Sequence, residues 1–270
     1  MKNEIFGNRL KDLRYSNTRG VVIPLHHAFL KLRMHRTDRI TAFIAPPLFL
    51  ALIWLCLPLI ASGWSEIMAF WTQNIYGAEM GYKTMQILGR TIEMPYPALE
   101  AVDPSAHMVE WNLWICILAF LVSFVLPARI APVTYLLRAI LLIQASASIA
   151  RLVSSAEFPY TLQTYVTDAL TLSIYMVFLL PLILGFVYYI FDFGFVRKMA
   201  LTVLMLLYFF ITIPCQYMLH AVIIHEGSLL FLPLMYLMFG TLLDVLMFVS
   251  IYAIGMSWHN NSDARNGRGL

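Results

Sequence analysis

Hydrophobic and polar residues occur in long separate blocks along this chain. Six blocks are apolar at almost every position, as in "YMVFLLPLILGFVYYIF" at residues 175–191. A helix crosses the hydrocarbon layer of a bilayer with about 20 such residues. The pattern therefore predicts six transmembrane helices, at residues 40–62, 111–128, 131–150, 169–191, 199–223 and 229–255.

The composition supports a membrane protein over a soluble one. Hydrophobic residues make up 60% of the chain, charged residues only 12%, and the mean hydropathy is +0.75. Soluble domains carry about 25% charged residues. A membrane β-barrel needs segments of about 10 residues with alternating polarity, which these blocks lack. We expect an all-α, polytopic membrane bundle of about six helices.

The basic residues predict how the helices are oriented. Residues 1–39 hold nine of the eighteen Lys and Arg residues, whereas residues 63–110 hold only Lys83 and Arg90 against six acids. Basic residues near the ends of spans stay on the cytoplasmic side. We therefore expect both termini in the cytoplasm, an external cap of about 48 residues at 63–110, and a location in the inner (plasma) membrane of a bacterium. The chain divides into an arm (1–39), a membrane domain (40–255) and a tail (256–270).

The arm has an amphipathic pattern. Leu25, Phe29 and Leu32 recur at helical spacing beside basic residues, the closest to the first span being Lys31, Arg33, Arg36 and Arg39. Such a helix binds the anionic surface of a bilayer with its apolar edge among the headgroups. Packing on a partner or on the protein's own inner loops is the alternative. A nucleic-acid partner is not expected, because the basic excess adjoins a span and the net charge is only +3.

The predicted external cap at 63–110 has two parts. Ile67, Trp71 and Ile75 indicate a helical stripe along the membrane surface. Pro95, Pro97 and the surrounding polar residues then predict an irregular, ordered segment. The cap either docks a partner or packs on the bundle, or it covers an outer cavity.

Two charged residues lie deep inside predicted spans. Arg138 and Asp244 fall at about the same depth by helical rise, about 4 Å to the cytoplasmic side of the centre of each helix. A charge at that depth needs a partner, so we expect the two to pair, either to fix the third helix against the sixth or as part of an ion or proton relay. Small residues at 145–150 predict that the third span is surrounded by other helices.

A further candidate site lies where the fifth span meets a polar break, "CQYMLHAVIIHEGS" at residues 215–228. The topology brings this break to the same side as the ends of the third and fourth spans. Ser228 is expected to cap the last helix. Candidate catalytic residues on this side are Arg151, Asp168, His220, His225 and Glu226. They either bind a phosphate headgroup and carry out acid–base chemistry, or they are only hydrated helix ends.

Other chemistry has no motif in the sequence. The spacing of His220 and His225 does not place both on one helix face, and H-E-x-x-H is absent, so neither a metal nor a cofactor is expected. Cys56, Cys116 and Cys215 fall inside predicted spans and suggest no disulfide framework.

Two classes of function remain. The first is a non-catalytic integral subunit or scaffold of a cell-envelope assembly, with the bilayer and other membrane proteins as partners. The second is an enzyme or transporter that handles a lipid-linked or anionic substrate at the outer leaflet. The absence of a P-loop, a nucleophile elbow or a metal motif favours the first.

Overall fold

The structure, a computed structural model, describes residues 36–154, 160–188 and 195–266 of the chain, and of residues 36–41, 128 and 256–266 it describes only the backbone. The described part is mostly helical. Five of its helical regions are long and apolar enough to cross a membrane. The helices are α1 (Arg36–Trp71), α2 (Ala106–Val122), α3 (Ala131–Val153), α4 (Leu162–Tyr188), α5 (Phe195–Glu226) and α6 (Leu242–Asn266).

The second predicted span corresponds to the shortest of these helices. α2 has 17 residues and is capped by Ser105, whose side chain accepts a hydrogen bond from the Met108 amide. It is apolar, but it is shorter than a helix that crosses the whole hydrocarbon layer, which needs about 20 residues. The structure therefore supports a membrane protein with five long apolar helices, and the sixth crossing stays a prediction.

α1 is much longer than the predicted first span. Its 36 residues continue into a π-helical turn, Thr72–Tyr76, and the helix ends at Gly77, whose φ of 61° is left-handed. The stripe of Ile67, Trp71 and Ile75 is thus part of the same helix and not a separate surface helix. At about 1.5 Å per residue this helical rod is about 60 Å long, twice the thickness of the hydrocarbon layer.

A β-hairpin follows α1, so the expectation of an irregular segment around Pro95 and Pro97 was wrong, although the described part is mostly helical as predicted. Strands β1 (Met80–Ile87) and β2 (Arg90–Pro97) pair antiparallel, with Ile87 opposite Arg90. Leu88 and Gly89 form the turn, both with positive φ, as the tightest hairpin turns require. Proline is tolerated here because both strands of a two-stranded sheet are edges.

The hairpin lies along α1 and also contacts α4. Alternate residues of β2, Ile92 and Met94, are buried in the same core as Trp64 and Met68 of α1. Their neighbours Thr91 and Glu93 are exposed. This alternation is the sequence signal that predicts a half-buried strand, and it was masked by the prolines that follow.

The core of the bundle is formed by α4 and α5 together with one face of α1. Leu170, Ile174 and Leu184 of α4 and Leu201 and Met205 of α5 are fully or almost fully buried. The expectation that the third span is surrounded by helices was wrong, since α3 is the least buried of the five long apolar helices. It packs on α2 and on the start of the last helical region, and its other faces are exposed.

The last helical region does not begin as a regular α-helix. Residues 229–241, called the 229–241 segment below, comprise a 3-10 turn (Leu229–Phe231), one α-turn (Leu232–Leu234) and a π-helix (Met235–Thr241). The Ser228 side chain accepts a hydrogen bond from the Leu230 amide, which confirms the predicted cap.

The predicted membrane-surface residues of the arm stay untested. Lys31 and Arg33 lie outside the described residues. Arg36 and Arg39 fall on the first turns of α1, where only the backbone is described.

Candidate functional site

A cavity of about 870 Å³ lies between α3, α4 and the 229–241 segment. It lies where α3 packs on the 229–241 segment and on α2, and the space left towards α4 is not filled by side chains of the described residues. It is lined by small residues of α3, Ala147 and Ala150, and by apolar residues that include Leu172 of α4 and Leu237 of the 229–241 segment. The polar residues that line it are Arg151, Ser154, Tyr160, Tyr165, Asp168 and Tyr236.

The charged residues of the cavity come from the ends of two helices. Arg151 is in the last turn of α3 and is partly buried. Asp168 lies near the start of α4, exposed, with one carboxylate oxygen 3.9 Å from the Lys83 ammonium of the hairpin. Two of the predicted site residues, Arg151 and Asp168, are therefore brought to the same cavity.

His220 does not line the cavity but lies directly behind it. Its Nδ1 is 2.9 Å from the hydroxyl of Tyr165, and Tyr165 is part of the cavity wall. Both side chains are buried, and their rings are stacked with centroids 6.2 Å apart. A hydroxyl and an imidazole at this distance form a hydrogen bond that connects the cavity to the centre of the bundle.

A group of buried polar side chains continues inward from His220. The hydroxyls of Tyr217 and Ser173 are 3.2 Å apart, and the Tyr217 ring meets the His220 ring edge-on. One turn earlier on α5, Gln216 donates from Nε2 to the carbonyl of Phe239 at 2.7 Å. This carbonyl belongs to the π-helix, and π-helical turns are frequent at functional sites.

Asp244 is the charged residue of this group. It is 5% exposed, and the Gln216 amide donates a hydrogen bond to its carboxyl group. Asp244 Oδ1 and Gln216 Oε1 are buried without a hydrogen-bond partner in the described part of the chain. The predicted pairing of Asp244 with Arg138 is therefore not formed.

Arg138 is held elsewhere, between α2 and α3. Its Nε donates to Ser123 Oγ at 2.9 Å and its Nη2 to the Ser123 carbonyl at 3.2 Å. The guanidinium also lies over the Phe124 ring, 4.2 Å from the centroid. The prediction was wrong because two residues at equal depth meet only if their helices are neighbours. At this level the neighbour of α3 is α2 and not α6.

His225 and Glu226 are not part of the cavity, which corrects their assignment to one site with Arg151. His225 Nδ1 bonds the Glu100 carbonyl, and its ring meets that of Tyr76 edge-on. Glu226 interacts with the Tyr76 hydroxyl. These contacts attach the end of α5 to α1 and to the loop that follows the hairpin, so both residues have structural partners.

Sequence reasoning missed the tyrosines of the site. Tyr165, Tyr217 and Tyr236 lie in apolar stretches in which an aromatic residue is normally only a packing residue, and no spacing distinguished them. The one usable signal was the pair Gln216 and His220, four apart on α5 and therefore on one face.

The chain was compared with protein-family models, with curated proteins and with solved structures, and none of them matches it.

Proposed function

We propose that this protein binds an amphipathic molecule with an anionic head, of the lipid or lipid-linked class, in the cavity between α3 and α4. The observation that carries the proposal is the composition of this cavity, with apolar walls and an arginine at the end of α3. Its volume of about 870 Å³ lies within the usual range of ligand pockets, roughly 300–1,000 Å³.

Each part of the cavity suits one part of such a ligand. The guanidinium of Arg151 offers bidentate hydrogen bonds to a phosphate or carboxylate, and Tyr160 and Ser154 add hydroxyls beside it. Ala147, Ala150, Leu172 and Leu237 line the cavity with apolar side chains that suit an acyl or prenyl chain. Asp168 lies at the same cavity, where it suits an amine or hydroxyl of the head.

The proposal includes a topology with both termini in the cytoplasm and the hairpin outside a bacterial inner membrane. Exposure along α1 supports it, because exposed polar side chains occur only after about residue 60 in the described part of this helix, where they alternate with exposed Phe70, Trp71 and Ile75. The exposed residues before this point include Phe43, Leu48, Leu52, Leu55 and Leu59. Those after it include Ser62, Glu66, Gln73 and Asn74. In this topology α2 is the second of six crossings, and the cavity lies near the outer leaflet.

Native mass spectrometry of the protein purified in mild detergent tests the proposal. We expect a stoichiometric phospholipid or lipid-phosphate adduct on the parent. Arg151→Gln removes the charge and should lower its occupancy at least tenfold, which corresponds to about 1.4 kcal/mol of binding free energy. Arg129→Gln is the matched control, since Arg129 is an exposed arginine at the opposite end of α3.

A second pair of variants tests the apolar wall. Leu172→Trp fills the cavity and should abolish the adduct, whereas Leu182→Trp should not. Both leucines lie on α4 with similar exposed fractions, 39% and 41%, and only Leu172 lines the cavity. A lipid adduct that is equally abundant in all four variants is annular lipid and would contradict the proposal.

A scaffold function is the second candidate, supported by the surface of α2. This helix packs mainly on α3 and leaves Trp111, Trp114, Ile115 and Leu118 exposed on its outer faces. Apolar surface of this kind is covered either by lipid tails or by another membrane protein. Co-purification of a stoichiometric membrane partner that is lost on Trp114→Ser and Leu118→Ser substitution would favour the scaffold over ligand binding.

A further inference from the structure

The buried carboxylate at the start of α6 is the feature of this molecule that most needs a partner. Asp244 is 5% exposed and Gln216 is 7% exposed, and the two side chains interact between α5 and α6. Neither residue belongs to the cavity lining, so the inference that follows does not depend on the ligand proposed for the cavity.

Two buried oxygen atoms between α5 and α6 accept no hydrogen bond from the described residues. The Gln216 amide nitrogen donates to the Phe239 carbonyl, which identifies the other end of the amide as the oxygen. That oxygen and Asp244 Oδ1 accept no hydrogen bond from any described residue. An unsatisfied buried acceptor costs about 1–3 kcal/mol, and an unpaired charge inside a membrane span costs more.

The nearby tyrosine hydroxyls have other partners. The Tyr165 hydroxyl is bonded to His220, and the Tyr217 hydroxyl accepts a hydrogen bond from Ser173 Oγ. No Lys or Arg side chain forms an ion pair with Asp244 within the ranges that the structure describes. Tyr236 is the remaining titratable side chain that interacts with the tyrosines of this group.

We propose that Asp244 and Gln216 form a binding site for a small monovalent cation of the Na⁺ type, beside the π-helix of residues 235–241. The two atoms that would coordinate the cation are oxygens, one from a carboxylate and one from an amide carbonyl. Such ligands suit hard cations. A single positive charge neutralises the single carboxylate, whereas a divalent ion would leave a net charge in an apolar interior. Among the described residues, no group of three His, Cys, Asp or Glu side chains exists that would hold a transition metal.

The irregular helix supports the same assignment. Phe239 is in the π-helix, and its carbonyl accepts from the Gln216 side chain. Interrupted helices inside membranes provide carbonyl oxygens that coordinate Na⁺ or protons. Gln216 thus links the carboxylate of α6 to the distorted turn, and a bound cation would tie α5 to α6 at this point.

Thermal unfolding of the detergent-purified protein tests the site. The midpoint temperature is measured in NaCl, KCl, LiCl and choline chloride at equal concentration and constant pH. Because a ligand that binds only the folded state raises its stability, we expect a midpoint higher in NaCl than in choline chloride by about 2–4 °C or more. Asp244→Asn keeps the shape of the side chain and should lose this difference.

Two further variants make the test specific. Gln216→Leu keeps Asp244 and should raise the Na⁺ concentration at half-maximal stabilisation at least tenfold. Asp103→Asn, an exposed carboxylate in the loop after the hairpin, is the control and should behave like the parent.

Several outcomes would overturn the inference. The first needs only the parent protein: equal midpoint temperatures in all four salts would exclude a cation site. This result can be obtained even if Asp244→Asn fails to fold. A stabilisation that depends on pH but not on the cation means that the site holds a proton. Retention of the Na⁺ effect in Asp244→Asn places the cation elsewhere.

Discussion

Arg90 of the hairpin donates a hydrogen bond from Nη1 to the main-chain carbonyl of Trp54 in α1, at 2.9 Å. This carbonyl is four residues before Pro58, and proline has no N–H with which to bond it within the helix. The same guanidinium lies over the Trp54 ring, 4.1 Å from the centroid. The hairpin is therefore attached to α1 at the point where the proline interrupts the helical hydrogen bonds.

Replacing Arg90 should weaken this attachment in a way that depends on Pro58. Arg90→Ala removes the hydrogen bond and the ring contact, and we expect a loss of about 1–3 kcal/mol in the free energy of unfolding. In a Pro58→Ala background the helix regains its own N–H for the Trp54 carbonyl, so Arg90→Ala should cost less there. Chemical denaturation of the four proteins measures the coupling. Strictly additive effects would show that Arg90 does not serve the carbonyl released by Pro58.

Trp64 and Pro214 repeat this relationship between α1 and α5. The indole Nε1 of Trp64, a residue that is 0% exposed, donates to the Phe210 carbonyl at 3.0 Å, four residues before Pro214. Trp64→Phe keeps most of the ring and leaves this carbonyl without a donor, at an expected cost of about 1–3 kcal/mol. Trp114→Phe, on an exposed tryptophan, is the control and should have little effect in the same melting experiment. An equal loss in both variants would assign the effect to ring size and not to the hydrogen bond.

The bond between Tyr165 and His220 should be measurable as a coupling energy. Tyr165→Phe removes one hydroxyl from the cavity wall and leaves the buried His220 Nδ1 without that partner. We expect each single variant to destabilise the protein and the double variant with His220→Ala to show an interaction energy of about 0.5–3 kcal/mol. Tyr160→Phe, on an exposed tyrosine of the same cavity, is the control. A coupling energy of zero would mean that the two side chains do not share a hydrogen bond in the membrane.

The proposed topology predicts which positions a membrane-impermeant thiol reagent reaches. Asp103 is exposed in the loop after the hairpin, so Asp103→Cys should be labelled in intact cells. The nearby Ser105 is unsuitable for the cysteine, because it caps α2 and its replacement would disturb that helix. Ser262→Cys, in the predicted cytoplasmic tail, should be labelled only after the cells are opened. Labelling in the reverse order would contradict the positive-inside interpretation; a background without Cys56, Cys116 and Cys215 excludes labelling of the native thiols.

Hydrophobic patterning in the sequence was enough to predict the membrane class and the long apolar helices. That information is local, since a run of about 20 apolar residues is by itself long enough to indicate a helix that crosses the hydrocarbon layer. The Ser228 cap was predictable for the same reason, because it depends on a hydroxyl and an amide two residues apart. The hairpin was predictable in principle from the alternation around Ile92 and Met94, and it was missed because the prolines beside it were interpreted as an irregular segment.

Only the tertiary structure decided which polar groups meet. Arg138 and Asp244 lie at the same predicted depth, yet Arg138 bonds Ser123 of the neighbouring helix and Asp244 meets Gln216. Depth follows from counting residues along one helix, whereas a side-chain partner depends on which helices are neighbours and on how each is rotated. In a membrane these two properties are set by packing between surfaces that are almost equally apolar, so the hydropathy of the sequence contains little information about them. The cavity has the same origin, since it is the space that α3 leaves when it packs on the 229–241 segment and not on α4.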